Sequence, residues 1–305
     1  MIVLFGIPSE PPVAMARDRL AESGKPFHML NQRDVDAIDI QCIVADGRVE
    51  GRLRAPGVQI GLDDVTAVYA RPMDDRFLPE LDGEPPDSPR RLRSRRLHDA
   101  IVAWLDVTPA RVVNRFRDMG SNGSKPYQAQ LVQRFGFMVP ETLVTNDPAL
   151  VAGFRRRHGR VVYKSVSATR SVVHELGAAD LERLDAIRAC PVQFQEYVPG
   201  FDVRVHVVGD DVIATRVDSP AVDYRYAEHG QDGTRLTPFD LPADLADRCR
   251  TLTAGLGLAF SGIDLRFTPG GDVVCFEVNP SPAYSYYEYE TGQPISLALA
   301  RYLAA

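Results

Sequence analysis

Short apolar runs alternate with amphipathic stretches along the whole chain, which is the pattern of an α/β protein. MIVLF, then PPVAMARDRLAESG, then PFHMLN predict strand, helix and strand at the start. CIVADGRVEGRLRAPGVQIGL carries Asp46-Gly47 between two apolar runs. It predicts a hairpin, because Asp-Gly accommodates the backbone of a tight turn. VTAVYARP is a further strand, stopped by Pro72. Residues 74–89 are acidic and proline-rich and read as an exposed loop. PRRLRSRRLHDAIVAWLDV follows as a helix with an apolar stripe at Leu92, Leu97, Ile101 and Leu105. Its arginines (Arg90, Arg91, Arg93, Arg95 and Arg96) read as a solvated face beside the acidic loop. Binding of an acidic peptide or phosphate is the alternative.

From ARVVN onward the chain predicts a helix over 124–135, the strand ETLVTN, a helix over 148–158, the strand RVVYKSV and the short strand VVHEL. The last third is strand-rich: PVQFQEYV, DVRVHVVG and DVIATRVD, a helix at LADRCRTLTAGLG, then SGIDLRFTP and DVVCFEVNP. A final helix, ISLALARYLAA, closes it. Three parts are expected: an α/β lobe over 1–113, a central part over 114–190 and a C-terminal antiparallel-sheet part over 191–305.

At 305 residues the chain is long enough for two or three lobes, each with its own core. The net charge of -6 argues against a general nucleic-acid binder. It says little about phosphate ligands, which need only a few well-placed cations. Four scattered cysteines (Cys42, Cys190, Cys249 and Cys275) without a CxxC pair point to reduced thiols rather than disulfides or zinc. MIVLFGIPSE lacks a basic flank and a long apolar run, and no stretch approaches the roughly 18–20 apolar residues of a membrane span. A cytoplasmic protein that meets no membrane is expected.

Candidate chemistry gathers near the C-terminus. Glu277 and Asn279 in CFEVN are two apart, as are Asp264 and Arg266 in GIDLRF. In strands each pair shares a face, with Phe276 and Val278 turned to the other side. Thr268-Pro269-Gly270-Gly271 lies between the two runs and is of hairpin length, so Asp264 and Glu277 are expected across an antiparallel pair. Two carboxylates and an amide oxygen placed together suit Mg²⁺, a hard ion. Arginine pairing on an exposed sheet face is the alternative. Lys164 ends an apolar strand and opens a loop with Ser165, Ser167 and Arg170, a set of donors fit for phosphate oxygens. QFQEYVPGFDVRVHVVG turns at Pro-Gly with Glu196, Asp202 and Arg204 at the junction. Such a hinge offers backbone groups to a base and a carboxylate to ribose. Tyr197 reads as packing, and His206 as a strand residue without a chemical role.

In order, NRFRDMGSNGSKPYQAQLVQRFGFMVPETLVTNDP, VVYKSVSATRSVV, FQEYVPGFDVRVHVVGDDVIATRVDS, AVDYRY, GIDLRF and CFEVNPSPAYSYYEYETGQPI resemble the ATP-grasp superfamily. The resemblance runs from about Asn114 to the C-terminus. Within the superfamily it lies in the branch of the ribosomal-protein glutamate ligase, nearest the microviridin-type macrocyclases (graspetide synthetases). It implies a pre-ATP-grasp domain over 1–113, a mobile central lid over 114–190 and a metal-bearing C-terminal subdomain over 191–305. It implies phosphate contacts from Lys125 and Lys164, and an adenine hinge from Gln195, Glu196, Tyr197 and Val198, with Asp202 on the ribose. Arg204 is expected at the γ-phosphate, and Arg216 and Arg225 on the acceptor or peptide side. Asp264, Glu277 and Asn279 are the implied ligands of two Mg²⁺ ions, Asn279 also facing the nucleotide.

The implied activity is ADP-forming ligation: ATP phosphorylates a carboxylate and a nucleophile displaces phosphate. The implied substrate is a ribosomally made precursor peptide crosslinked by side-chain esters or amides, and a homodimer is compatible. Two departures stand out. The loop SVSATRS has no glycine, and Asn279-Pro280-Ser281-Pro282 replaces the polar NGQW-like stretch common in macrocyclases. A ligase for free amino acids, a small carboxylate or a protein terminus therefore stays open, as does a nucleotide-binding scaffold without catalysis.

Overall fold

The computed structural model describes residues 1–166, 172–219 and 233–305. It divides into two compact units: Met1–Met119 with Gly257–Phe260 and Ser281–Ala305, and Gly120–Leu256 with Ser261–Pro280. No helix among the described residues is long and apolar enough to cross a membrane.

The first unit holds β1 (Ile2–Gly6), β2 (Phe27–Asn31), β3 (Asp39–Ala45), β4 (Arg48–Ala55), β5 (Val58–Gly61), β6 (Ala67–Arg71) and β7 (Arg111–Val113). The parallel sheet runs β2-β1-β6-β7. Every residue of β1 is buried, which is why IVLFG is continuously apolar rather than alternating. β3, β4 and β5 form an antiparallel sheet. Its first turn is the expected Asp46-Gly47, with φ of 51° and 73°. The helix Pro89–Val107 buries Ile101 and Leu105 as the stripe predicts, and adds Trp104 against Val3, Phe5, Leu53 and Val68.

The arginines of that helix are not simply solvated. Arg91 is buried on Asp75 and the Leu81 carbonyl, while Arg95 shares Asp75, Arg90 meets Asp36 and Arg93 meets Asp39. Arg90, Arg91 and Arg95 staple the proline-rich loop by donating to its Glu80, Asp75, Leu81 and Pro86 carbonyls. Tyr284 is fully buried and donates to the Pro12 carbonyl, so it belongs to the core, while Tyr289 is exposed.

The second unit holds two sheets. β8 (Thr142–Thr145), β9 (Val161–Ser165), β10 (His174–Glu175) and β11 (Val192–Glu196) pair in the order β10-β9-β11-β8. The helix Pro148–His158 covers one face, packing its Val151 and Phe154 with Val161 and Phe194 of the sheet. β11 follows residue 190 yet belongs to this sheet, because its ladder partners are β8 and β9. β12 (Phe201–Val208), β13 (Asp211–Asp218), β14 (Arg235–Phe239), β15 (Phe260–Phe267) and β16 (Val273–Asn279) form the other sheet, ordered β14-β13-β12-β15-β16.

Asn114, at the end of β7, is buried and works with both ends of its amide. It donates to the Phe260 carbonyl at 2.6 Å and accepts from the Ala259 and Phe260 N–H groups at 2.8 and 3.0 Å. Replacing it removes these three hydrogen bonds from a buried site. Asn114→Ala is expected to lower unfolding stability by about 2–4 kcal/mol, read as an earlier urea midpoint; an unchanged midpoint would refute this role.

Candidate functional site

The register of β15 and β16 builds the site. Asp264 stands directly opposite Glu277, and Gly262 opposite Asn279, as the hairpin spacing predicts. The ladder slips by one residue between Asp264 and Leu265, so Leu265 pairs with Cys275. This bulge turns Phe276 out of alternation. Its ring lies 5.0 Å from the Arg266 guanidinium, on the Asp264 face, instead of on the far side with buried Val278. The expected two-faced reading of CFEVN therefore holds for Glu277, Val278 and Asn279 and fails at Phe276.

Each carboxylate on this face meets a cation carried by another element. Arg204, on β12 and almost fully buried, donates to Asp264 at 2.6 Å. Lys125, at the start of the helix Lys125–Arg134, pairs with Glu277. Two residues along β12 from Arg204, Asp202 accepts both Nε and Nη2 of Arg266 at 2.8 Å, and Arg266 also donates to the Val198 carbonyl. Three carboxylates and three cations thus alternate over one sheet face.

Sequence reasoning missed two supports of this row. Gln128, one turn after Lys125, grips Val278 from both sides, accepting from its N–H and donating to its carbonyl. The i, i+3 spacing on the helix was the available signal. Gly262 leaves room for Arg204: a Cβ there would stand 2.4 Å from Arg204 Nη2. His206, on the same face of β12, is completely buried. Burial first, and the Arg204 charge second, hold its imidazole well below the usual value, so it adds no positive charge to the row.

The oxygens of Asp264, Glu277 and Asn279 make a hard donor set suited to Mg²⁺. Among the described residues no group of three or more His, Cys, Asp or Glu is gathered around a point. That agrees with a set of two carboxylates and one amide, which needs oxygens from a ligand to complete a shell. The residues fit the ion on that condition.

In the other sheet of this unit, Lys164 is half-buried and Ser165 exposed, at the end of β9. Gln195 donates to Thr142 Oγ1, and Glu196 accepts from the Glu141 N–H. Tyr197 does more than pack. Arg160 lies over its ring at 3.5 Å, held by a two-point bond to Glu175. Arg160, Glu175, Tyr197, Asp202, Asp218 and Arg266 line a cavity of about 590 Å³, within the size range of nucleotide pockets.

Arg216 stands opposite Val203, hence on the other face of the sheet from Arg204, paired with Asp218 and 4.1 Å from the Phe201 ring. Ser167, Arg170 and Arg225 lie outside the described residues.

Because the Arg204 guanidinium fills the space above Gly262, Gly262→Ala is expected to push it off Asp264. Turnover should fall on the order of a hundredfold, the usual penalty for misplacing a reacting group by about 1 Å. Thermal unfolding should also move down, because a half-buried Asp264 loses its cation, and undiminished turnover would contradict the positioning argument.

No protein-family profile and no curated sequence matches the chain. Solved structures do. The ATP-grasp ligase PsnB, in complex with a minimal precursor, Mg and ADP, is 28% identical, with 99% of this chain and 96% of that one covered and a TM-score of 0.81. The macrocyclase MdnC of Microcystis aeruginosa MRC, bound with precursor peptide MdnA, is 22% identical and shares the fold over 100% and 99% of the two chains, at 0.81. A RiPP-associated ATP-grasp ligase of Chryseobacterium gregarium, with ADP and a leader and core peptide, is 19% identical over 99% and 96%, at 0.78. The chain has the fold of the ATP-grasp ligases and is similar to the microviridin-type peptide macrocyclases among them.

Proposed function

We propose that the protein is an ATP- and Mg²⁺-dependent ligase that closes side-chain ester or amide bonds in a ribosomally made precursor peptide, working in the cytoplasm where ATP is supplied. The observation that carries this reading is the alternating row of Asp264, Glu277, Arg204 and Lys125. It sits on a fold shared over nearly the full length with PsnB, solved with precursor, Mg and ADP.

The nucleotide lies along the face of β9 and β11 that carries Lys164 and Gln195, with Asp202 toward the ribose, and Lys164 and Lys125 reach the phosphates. Lys125 leaves Glu277 for phosphate oxygens as the nucleotide enters, so its charge is carried over rather than added. Asp264, Glu277 and Asn279 would hold Mg²⁺, which when bound would neutralise charge on the phosphates. A peptide carboxylate oxygen attacks the γ-phosphorus and the bond to the β-phosphate oxygen breaks, releasing ADP. A side-chain hydroxyl or amine then attacks the acyl phosphate carbonyl and phosphate leaves, so the peptide loses one water per bond. Arg204 stabilises negative charge on the transferred phosphoryl group from a site already desolvated.

The test combines the purified protein, ATP, Mg²⁺ and the Asp/Glu-rich peptide encoded nearest its gene, followed by intact mass and nucleotide analysis. Loss of one or more waters with ADP formed is the expected outcome. ADP with an unchanged peptide would direct the ligase to another acceptor, and no ATP turnover would leave a binding scaffold. Glu277→Gln should reduce ADP release by about a hundred- to a thousandfold, with the circular dichroism spectrum retained; undiminished ADP release would sink the assignment of Glu277.

A further inference from the structure

β11 runs through the middle of its sheet, with β8 on one side and β9 on the other. Phe194 faces Tyr163 and enters the core beneath the helix Pro148–His158. Gln193, one residue earlier, points to the opposite face. There it stands across from Lys164 on β9 and Val144 on β8. It is only 1% exposed, and neither its Nε2 nor its Oε1 has a hydrogen-bond partner. Gln195, next on the same face, shows the contrast, since its Nε2 bonds Thr142 Oγ1.

A buried carboxamide without partners loses its water bonds and gains nothing in return. An apolar side chain of the same shape would serve the sheet better, so the residue is explained only if a ligand supplies the missing groups. The ligand must offer one acceptor and one donor side by side, because Gln193 leaves one of each. Phosphate oxygens are acceptors alone and would leave Oε1 unpaired. The N7 and N6 amino groups of adenine match both in a two-point contact, and glutamine is well suited to that edge. Guanine and hypoxanthine present oxygen at position 6, which would face Oε1 with like polarity. Lys164, directly across the ladder, is placed to serve the phosphates of the same nucleotide.

We propose that Gln193 reads the base, Nε2 donating to N7 and Oε1 accepting from the N6 amino group, and that it sets the preference for ATP over purine nucleotides with an oxygen at position 6. This rests on the reading that the Lys164 face of this sheet binds nucleotide.

The experiment is equilibrium binding by calorimetry of the full chain and its Gln193→Met variant to ATP, to ITP and to 7-deaza-ATP, with thermal unfolding of both proteins without nucleotide. The wild-type chain should bind ATP most tightly. In Gln193→Met, ATP affinity should fall about tenfold toward that of ITP, two neutral hydrogen bonds being worth a factor of that order. ITP affinity should stay the same, and the melting temperature should hold or rise because two stranded polar groups are gone. An unchanged preference for ATP over ITP in the variant would overturn the proposal. So would equal loss for all three nucleotides together with a lower melting temperature, the signature of a packing residue. Absence of ATP binding by the wild-type chain would defeat the nucleotide reading itself, and the proposal with it.

Discussion

The opposition of Asp264 and Glu277 across the β15–β16 ladder is the constraint on which the site depends. Two carboxylates at neighbouring ladder positions repel, and in a half-buried setting water screens them poorly. The chain answers with charge from outside the hairpin: Arg204 from β12 and Lys125 from the helix Lys125–Arg134. Arg204 in turn needs the bare backbone of Gly262, and Lys125 needs its helix seated against β16, which Gln128 secures through Val278. A local electrostatic problem of one hairpin thereby recruits a strand and a helix of the same unit.

This arrangement also explains how the site stays folded while waiting for its ligands. Each acidic group is matched, so the sheet face carries little net charge. A divalent ion arriving alone would compete with resident cations for the same oxygens. On the proposed reading a triphosphate changes the balance, because it brings several negative charges and new partners for Lys125. Ion and nucleotide are then favoured together, which suits chemistry in which the metal acts only on bound phosphates.

Much of this was legible in the sequence, and the limits have physical causes. The spacing of Asp264, Glu277 and Asn279 and the intervening turn disclosed the carboxylate pair, because strand period and hairpin length are local properties. The bulge at Phe276 was not disclosed, since alternation of apolar and polar residues carries no mark of a one-residue slip. Lys125 entered only through resemblance to ATP-grasp proteins, as 152 positions separate it from Glu277. The arginines at 90–96 were placed beside the acidic loop correctly, but the burial of Arg91 depends on how Asp75 and the Leu81 carbonyl fold back. Gln193 resembles any polar residue in a half-buried strand until both neighbours in the ladder are known.

The account turns on a carboxylate pair neutralised from within and opened by nucleotide. Titration of Mn²⁺, a spectroscopic substitute for Mg²⁺, followed by electron paramagnetic resonance with and without a non-hydrolysable ATP analogue, addresses this directly. The account predicts weak binding of the ion alone and affinity raised by about a hundredfold with the analogue, within the range of measured coupling between sites. Equal affinity in the two titrations would contradict it.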